Sequence, residues 1–436
     1  MLQTIKDIFS VKDLRKKILF TLFILLLFRL GTFITIPGID KTLLRETVGA
    51  ESSGLSAMAN LVSGGAFSRL SILALSIGPY ITASIVLNLL QVIVPSLERL
   101  TKEGEEGRRK LNKYTKYLTI VFGLLEGLAA YLNYKSFLLT ELQSGAGLIL
   151  GAILFIGSLI TGTALLSWLG DKITEYGIGN GISMIVFIGI VSGISGATET
   201  LIEVAQGGIT GILIVVALLV AMIILLAGIV FVQQAERRIP VNYAKRVVGR
   251  KMYGGQNTHI PIKLAMAGVM PIIFAMSFMM FPSMIISFAT KGDPQGIWSV
   301  IYNLFSVSQG SSWYYLVGYA LIYMALIILF TFVYTMFIVN PVEIANNLKK
   351  NGGFIPGIRA GKNTSEYISS VLKNITAVGA VFLALVAVLP ILLQGFTSIQ
   401  ITFSGNSVLI AVSVALEILK NLETQMVNRN YSGFLG

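Results

Sequence analysis

The chain of 436 residues contains no cysteine and one histidine, and only 12% of its residues are charged. Without cysteine there is no disulfide, no thiol nucleophile and no Cys/His zinc site. The single histidine, His259, lies in a basic stretch between two apolar runs, which excludes Ser-His hydrolysis inside a membrane. We therefore expect no cofactor, no metal and no catalytic residue.

Ionisable residues are also scarce within the apolar runs, where only Arg29, Glu126 and Glu417 clearly fall. An ion-coupled transporter usually carries ionisable groups at mid-membrane, and an intramembrane aspartyl protease needs two aspartates there. A P-loop is excluded because Pro356 and Asn363 replace the first glycine and the Ser/Thr of that motif. If the protein performs work, another protein must supply the energy.

What the chain has in abundance is apolar sequence, since 54% of its residues are hydrophobic. These residues form ten runs of about the length that crosses a hydrocarbon core. The composition predicts an all-α polytopic membrane protein with ten transmembrane helices. The runs are Ile18–Ile36, Ile72–Val94, Tyr114–Tyr134, Leu148–Leu169, Ile178–Ser195, Ile212–Val232, Leu264–Ala289, Tyr314–Val339, Val371–Leu393 and Asn406–Lys420.

The distribution of positive charge predicts the orientation of these runs. The N-terminus and every second connection carry 27 Lys and Arg residues, whereas the intervening connections carry five. The positive-inside rule then places both termini in the cytoplasm. The first run follows a basic head and lacks a small-residue cleavage site, so we interpret it as the first span and not as a removable signal. We expect a multi-pass protein of the cytoplasmic (inner) membrane.

Ten spans allow two halves of five, and an odd number in each half would make them inverted repeats. In each half the second span is interrupted near its start, by Gly78-Pro79 in one and by Gly268 and Pro271 in the other. Broken helices in corresponding positions indicate a central functional site, although Gly and Pro also kink ordinary membrane helices. We place the two halves at residues 1–205 and 206–436.

The stretch Trp168–Ser183 (WLGDKITEYGIGNGIS) has glycine at every second position around Asn180. One interpretation is a helix start with Asn180 as the N-cap residue. The other is a close approach of two backbones with a buried amide at the mouth of a membrane helix.

Two long connections are rich in basic residues, namely residues 234–263 and 340–368. Alternating apolar residues predict a β-hairpin in Arg237–Lys263. In the second connection we expect a helix extended beyond the membrane, ended by Gly352-Gly353, and then a turn at Pro356-Gly357 that presents Arg359. Such surfaces suit docking to ribosomal RNA phosphates or to an acidic protein face, and the residues do not choose between them.

Several stretches in the same order along nearly the whole chain resemble the SecY family of protein-conducting channels. They are Phe28–Asp40 (FRLGTFITIPGID), Ser63–Leu90 (SGGAFSRLSILALSIGPYITASIVLNLL), Trp168–Ser183, the two basic loops and the PGIR turn at Pro356–Arg359. The resemblance implies ten helices in two inverted five-helix halves around an hourglass pore.

The resemblance also implies site residues. An apolar pore ring would comprise Ile77, Ile81, Ile182, Val186, Ile273 and Ile410. A plug near residues 55–67 would include Leu55, Met58, Asn60, Gly64 and Gly65, with the two glycines as its hinge. A lateral gate, between the second and third spans and the seventh and eighth, would use Thr82, Asn88 and Asn180. Docking would use Arg359, with Arg246, Arg250, Lys349 and Lys350.

The function implied is a non-enzymatic channel that passes unfolded secretory proteins and releases transmembrane segments sideways into the lipid bilayer. Its implied partners are SecE and SecG, the SecA ATPase, the RNA and protein of a translating ribosome, signal sequences and unfolded precursor chains. A secondary transporter with broken helices and a pore-less membrane insertase remain as alternatives, and a membrane enzyme is a third.

Overall fold

The structure is a computed structural model that describes residues 11–40, 42–44, 63–143, 145–193, 198, 201–202, 204–243, 246–248, 251–253, 257–290, 294–306, 312–396 and 405–432. Its helices are α1 (Lys12–Gly31), α2 (Gly78–Ile93), α3 (Pro95–Lys102), α4 (Glu105–Tyr134), α5 (Ala146–Tyr176), α6 (Gly181–Ser192), α7 (Ile209–Gln234), α8 (Met270–Ala289), α9 (Ile297–Phe305), α10 (Trp313–Ile338), α11 (Pro341–Lys350), α12 (Lys362–Phe396) and α13 (Gly405–Ser432).

Each of the ten apolar runs overlaps a helix. Among the described residues, six helices are long and apolar enough to cross a membrane, namely α4, α5, α7, α8, α10 and α12. The bent pair of α2 and α3, with 104° between its two parts, makes a seventh candidate. Of the other three, α6 has only 12 residues and α1 carries charges at both ends. The chain is a multi-pass membrane protein.

Several helices are longer than the apolar runs that predicted them. Helix α4 starts at Glu105, α12 starts at Lys362 and α13 continues to Ser432. Backbone hydrogen bonding continues past the apolar segment because polar residues such as Lys and Glu are good helix formers in water. Hydrophobicity therefore located the spans but not the ends of the helices.

Large apolar side chains point outwards along most of these helices, as expected for a protein whose solvent is lipid. Helix α7 is the extreme case, since Gly211 and Ile229 are its buried residues. Inside, the helices up to α6 pack against one another, and so do the helices from α7 onwards. Contacts between these two groups include α8 against α2 and α4, and α13 against α6.

The two basic loops fold together into one module, called here the cytoplasmic module after the side of the membrane that its positive charges predict. Strands β1 (Glu236–Tyr243) and β4 (Asn257–Lys263) form the predicted hairpin, and β5 (Gly353–Phe354) joins β1 on its other edge, so that the sheet order is β4-β1-β5. The short strands β2 (Arg246–Val248) and β3 (Lys251–Tyr253) pair beyond this sheet. Its core contains Ile239, Val241, Ile262, Leu348 and Ile355.

The second loop begins with a helix, as predicted, but this helix is not continuous with the membrane helix before it. Helix α10 ends at Ile338, and α11 starts anew at Pro341 after the cap residue Asn340, whose Oδ1 accepts hydrogen bonds from the N–H groups of Val342 and Glu343. Proline disfavours a helical conformation in the residue before it, so the chain breaks at this point. As predicted, α11 ends shortly before Gly352, which has a φ of +70°.

Candidate functional site

Two helices begin in the interior of the molecule, where the sequence had placed its two broken spans. Helix α2 begins at Gly78, with Pro79 in its first turn. Two residues before this start, Ser76 has a φ of +52°. Helix α8 begins at Met270, after Gly268 at a φ of +59°. A positive φ is rare for a residue with a side chain and is typical of functional sites. The chain thus enters both helices through tight turns rather than through extended loops.

The six side chains predicted for the pore ring come together in one apolar cluster, called here the central cluster. Ile77, Val186 and Ile410 are buried in it, with exposures of 0%, 3% and 3%. Ile81, Ile182 and Ile273 are half-buried and pack against it. These residues come from the start of α2, from α6, from α8 and from α13, which are far apart in sequence.

The central cluster has further buried apolar members on α1, α5, α6, α13 and the segment before α2. They are Ile24, Leu25, Phe28, Ala66, Leu73, Leu166, Leu169, Ile173, Met184, Ile185, Ile190 and Val414. Where apolar side chains of this kind line a constriction, they expel water and block ions without a fixed lid.

Glycines in the turn between α5 and α6 permit a close approach of backbones. A Cβ on Gly181 would overlap the carbonyl oxygen of Gly170, and a Cβ on Gly177 would lie 2.5 Å from Oγ1 of Thr21. The same hydroxyl accepts a hydrogen bond of 3.2 Å from the N–H of Ile178, which ties α1 to the turn. Thr174 accepts from the N–H of Gly181 at 2.9 Å. The turn therefore fixes α1, α5 and α6 relative to one another.

The amide of Asn180 caps α6 and is exposed, so the prediction of a buried amide is wrong. Its Oδ1 accepts from the N–H groups of Ile182 at 3.0 Å and Ser183 at 3.4 Å. These are N–H groups that the first turn of a helix leaves without an internal partner. This geometry assigns Asn180 to the α5–α6 turn instead of to a bond between gate helices.

The contact of α8 with α2 and α4, called here the α8 interface, is apolar and partly aromatic. The rings of Phe122 on α4 and Phe281 on α8 meet edge to face, with 5.9 Å between their centroids. Ile85 of α2 is buried among residues of α8, α10 and α12. Glu126 on α4 lies close to the start of α2, with Oε2 at 3.7 Å from the position of a Cβ on Gly78.

The other two predicted gate residues lie on α2. Thr82 is buried, and Asn88 is half-buried. Oδ1 of Asn88 accepts a hydrogen bond of 3.5 Å from Gln91, and Oε1 of Gln91 accepts one of 3.1 Å from Thr101 on α3. Asn88 thus belongs to a polar chain that connects α2 to α3.

The contact of α13 with α6, called here the α13 interface, is part of the central cluster. Ile410 and Val414 of α13 are buried there with Val186 and Ile190 of α6. Nearer the C-terminal end of α13, Nζ of Lys17 on α1 lies 3.5 Å from Oε1 of Gln425. Helix α13 therefore packs against the earlier helices along much of its length.

Of the predicted plug residues, Gly64 and Gly65 are described, whereas Leu55, Met58 and Asn60 lie outside the described residues. Gly64 and Gly65 have φ values of +66° and +83° and form a turn. From this turn the chain runs through successive turns to Ile77 and the start of α2.

Arg359 directly follows the predicted turn in the cytoplasmic module. The N–H of Ile358 bonds to the carbonyl of Ile355 at 3.1 Å and Gly357 has a φ of +80°, which makes a type II turn with Pro356 at its second position. The carbonyl of Arg359 accepts from Thr364 at 2.9 Å, while the side chain of Arg359 is exposed.

Three of the four other predicted docking residues are described, and they belong to the same module. Lys349 and Lys350 are exposed in the last turn of α11. Arg246 is the first residue of β2, and Arg250 lies outside the described residues. At the base of the module a 2.8 Å hydrogen bond from Arg238 holds the pKa of Glu236 below its usual value, and burial lowers the pKa of Lys263.

Sequence reasoning missed the residues that hold the site together. Thr21 and Thr174 carry the hydroxyls that fix the α5–α6 turn, and Arg69 lies next to Arg29 around the ring of Phe33. For Thr21 and Thr174, the sequence offers only a weak signal, namely a hydroxyl within an apolar run. For Arg69, the weak signal is an arginine in a connection on the less basic side of the membrane. Over the described part of the chain, no group of three or more His, Asp and Glu side chains suits a metal ion.

Comparison with known proteins gives consistent similarities. The SecY family model matches residues 71–419. The protein translocase subunit SecY of Halalkalibacterium halodurans is 42% identical over 444 aligned positions that cover all of both chains. A structure of Sec61 in the canine ribosome-channel complex from the endoplasmic reticulum aligns with a TM-score of 0.66 and 19% identity, over 95% of this chain and 93% of that one.

A second solved structure concerns the plug domain of SecY, described as stabilising the closed state of the translocation channel and maintaining a membrane seal. It aligns with a TM-score of 0.64 and 19% identity, over 95% of this chain and 92% of that one.

Proposed function

Because the chain belongs to the SecY family, we propose that it is the channel subunit of a protein translocase. The observation that carries this proposal is the central cluster, where six apolar side chains from α2, α6, α8 and α13 meet at the level where two helices begin inside the molecule. The chain passes unfolded secretory proteins through this constriction and releases transmembrane segments into lipid.

The ring of Ile77, Ile81, Ile182, Val186, Ile273 and Ile410 acts as a compliant seal. It dewets when empty, and its side chains rotate aside for a polypeptide of any sequence because none of them makes a specific polar bond. A twenty-residue apolar segment gains roughly 10 kcal/mol in lipid at about −0.5 kcal/mol per residue, and each central charge costs about 3 kcal/mol. Partitioning at an open gate then decides whether a segment leaves sideways.

The helices up to α6 and the helices from α7 onwards are the two groups that move relative to each other. We assign residues 1–205 and 206–436 to two halves, with the gate at the α8 interface and Thr82 and Asn88 beside it. The plug includes Gly64 and Gly65. At the gate a buried polar contact contributes only about 1 kcal/mol between membrane helices, so a signal sequence is able to replace it.

Partners bind on the cytoplasmic module and around the bundle. We assign docking of the SecA ATPase or of a translating ribosome to Arg359, Lys349, Lys350, Arg246 and Arg250, and the ribosome-bound Sec61 structure supports this side of the proposal. The outward apolar faces contact lipid and the SecE and SecG subunits. The protein lies in the cytoplasmic membrane with both termini in the cytoplasm and is a channel without enzymatic activity.

A crosslink between the ring and a passing chain tests this function. The chain lacks cysteine, so Ile81→Cys introduces one thiol, and a secretory precursor with a single mid-chain Cys is stalled during transport in vesicles containing SecE and SecG. We expect a disulfide that requires precursor and SecA. The matched control is Ile224→Cys on the lipid-facing side of α7, which should give none.

The outcome also separates the alternatives. Active transport with no crosslink at Ile81 excludes the pore assignment. A pore-less insertase would release membrane proteins but pass no soluble precursor, and a secondary transporter would take up a small solute with this chain alone.

A further inference from the structure

The Gly64-Gly65 turn is seated tightly on α6. A Cβ on Gly64 would lie 2.5 Å from Oγ of Ser192 and 3.2 Å from the Cα of Gly189. Both glycines have left-handed φ values, which a residue with a side chain rarely adopts. The turn is thus shaped to place its backbone, and not a side chain, against the helix.

From the other side, α1 binds the same turn through Arg29. Nη1 of Arg29 donates a hydrogen bond of 2.7 Å to the carbonyl oxygen of Gly64. The donor is charged and half-buried, which makes such a bond shorter and stronger than a neutral one. Gly64 is therefore fixed between α1 and α6, which the α5–α6 turn also joins.

Arg69, just after the turn, has a different role from Arg29. Its guanidinium lies 4.5 Å from the ring centroid of Phe33, and that of Arg29 lies 5.2 Å from the same centroid. Among the described residues, Nη1 of Arg69 is buried without a hydrogen-bond partner. Two guanidinium groups around one ring repel each other. The hydrogen bond to Gly64 thus holds the turn against a local repulsion.

We infer that Arg29 is a positioning residue that fixes the root of the plug, at Gly64, in the closed position of the channel. This inference rests on the proposed function. It differs from the expectation that Gly64-Gly65 is a free hinge, because the turn is bound on two sides. Loss of the Arg29–Gly64 bond should shift the resting channel towards a conducting state without removing its ability to transport a precursor.

The test is the ion conductance of the resting channel in planar bilayers, in the absence of precursor, with precursor transport measured in parallel. We expect Arg29→Gln to raise resting conductance by roughly ten- to a hundredfold, as the loss of a hydrogen bond to a charged group shifts a two-state equilibrium. Arg29→Lys keeps a charged donor and should restore most of the seal even if the glutamine variant assembles poorly.

The matched control is Arg69→Gln, which removes an equal charge from the same ring but no bond to Gly64. Its conductance should stay at the level of the unmodified protein. Equal leakage in the two glutamine variants, or no leakage in Arg29→Gln, would overturn the inference. If precursor transport is normal in either of these two cases, the inference about Arg29 fails but the proposed channel function stands. A complete lack of transport by the unmodified protein would refute the proposed function itself.

Discussion

The α13 interface and the α8 interface join the same two groups of helices but are held together differently. At the α13 interface, Ile410 and Val414 are buried in the central cluster. At the α8 interface, half-buried Phe122 and Phe281 meet edge to face. The contact at α13 is made by enclosed aliphatic side chains, whereas the aromatic contact at α8 is made by rings that are only partly covered.

This difference in packing indicates that the two contacts cost different amounts of free energy to separate. Buried aliphatic side chains lose packing on all sides when an interface opens, since protein interiors are as dense as organic crystals. An edge-to-face aromatic pair adds only about 0.5–1.5 kcal/mol beyond its buried area. Separating the Phe122–Phe281 pair therefore costs less than separating Ile410 and Val414 from α6. The buried side chain of Ile85 on α2, which packs among residues of α8, α10 and α12, adds to the cost of opening the α8 interface.

The largest expected effect comes from breaking the turn beneath the packed interface. Gly181→Ala places a Cβ on the carbonyl oxygen of Gly170, and neither backbone is free to move. We expect a loss of more than about 3 kcal/mol of stability, seen as failure to accumulate in membranes or a lower midpoint of thermal unfolding.

Gly157→Ala in α5 is the matched control, because no atom lies within 4 Å of its added Cβ. It should be neutral or stabilising, by up to about 1 kcal/mol from helix propensity. Equal behaviour of the two variants would show that the α5–α6 turn is not tightly packed.

A smaller and more specific contrast comes from truncating one side chain at each interface. Val414→Ala should lower stability by about 2 kcal/mol through lost burial and a cavity, without changing which precursors are transported. Phe122→Ala should cost about 1 kcal/mol and favour the open gate, so that precursors with weakened signal sequences are transported about fivefold faster. The measurement is precursor transport per assembled channel; the reverse pattern would exchange the roles of the two interfaces.

The smallest effect on stability is expected in the cytoplasmic module. Arg359→Ala should leave the unfolding midpoint unchanged, because the carbonyl of Arg359 and not its side chain bonds to Thr364. Transport driven by SecA should nevertheless fall by about tenfold or more, as for an interface arginine that contributes 2 kcal/mol or more.

Lys362→Ala removes an equally exposed charge three residues away, one that pairs with Glu366 at 3.8 Å. It should change neither quantity. If the Arg359→Ala and Lys362→Ala variants transport precursor equally well, Arg359 makes no contact with SecA.

The sequence predicted the positions of the spans because lipid demands long apolar helices, and all ten runs overlap helices. It also predicted the hairpin of β1 and β4, since alternation of apolar residues depends on the chain alone. The pairing of β5 with β1 escaped prediction because two residues, Gly353 and Phe354, carry no periodic pattern.

The site was predictable only as separate pieces. Each pore-ring residue resembles many other apolar residues of membrane helices, and their meeting in one cluster depends on the tertiary fold. The role of Asn180 was open between a cap and a buried amide, and the exposure of the turn decided it. The contact of Arg29 with Gly64 spans 35 residues and joins a side chain to a backbone carbonyl, which no local pattern reports.

The most direct test of the account is to lock the α8 interface and, for comparison, a contact between α13 and α1. Cysteine pairs replace Phe122 and Phe281 at the α8 interface, and Lys17 on α1 and Gln425 on α13, whose side chains are in contact. Each pair is joined by the same short, cleavable bis-thiol reagent, and the second crosslink is called here the α13 lock. We predict that the α8 lock stops precursor transport until the reagent is cleaved, while the α13 lock leaves transport close to that of the unlinked variant. Normal transport through a channel locked at α8 would contradict the account.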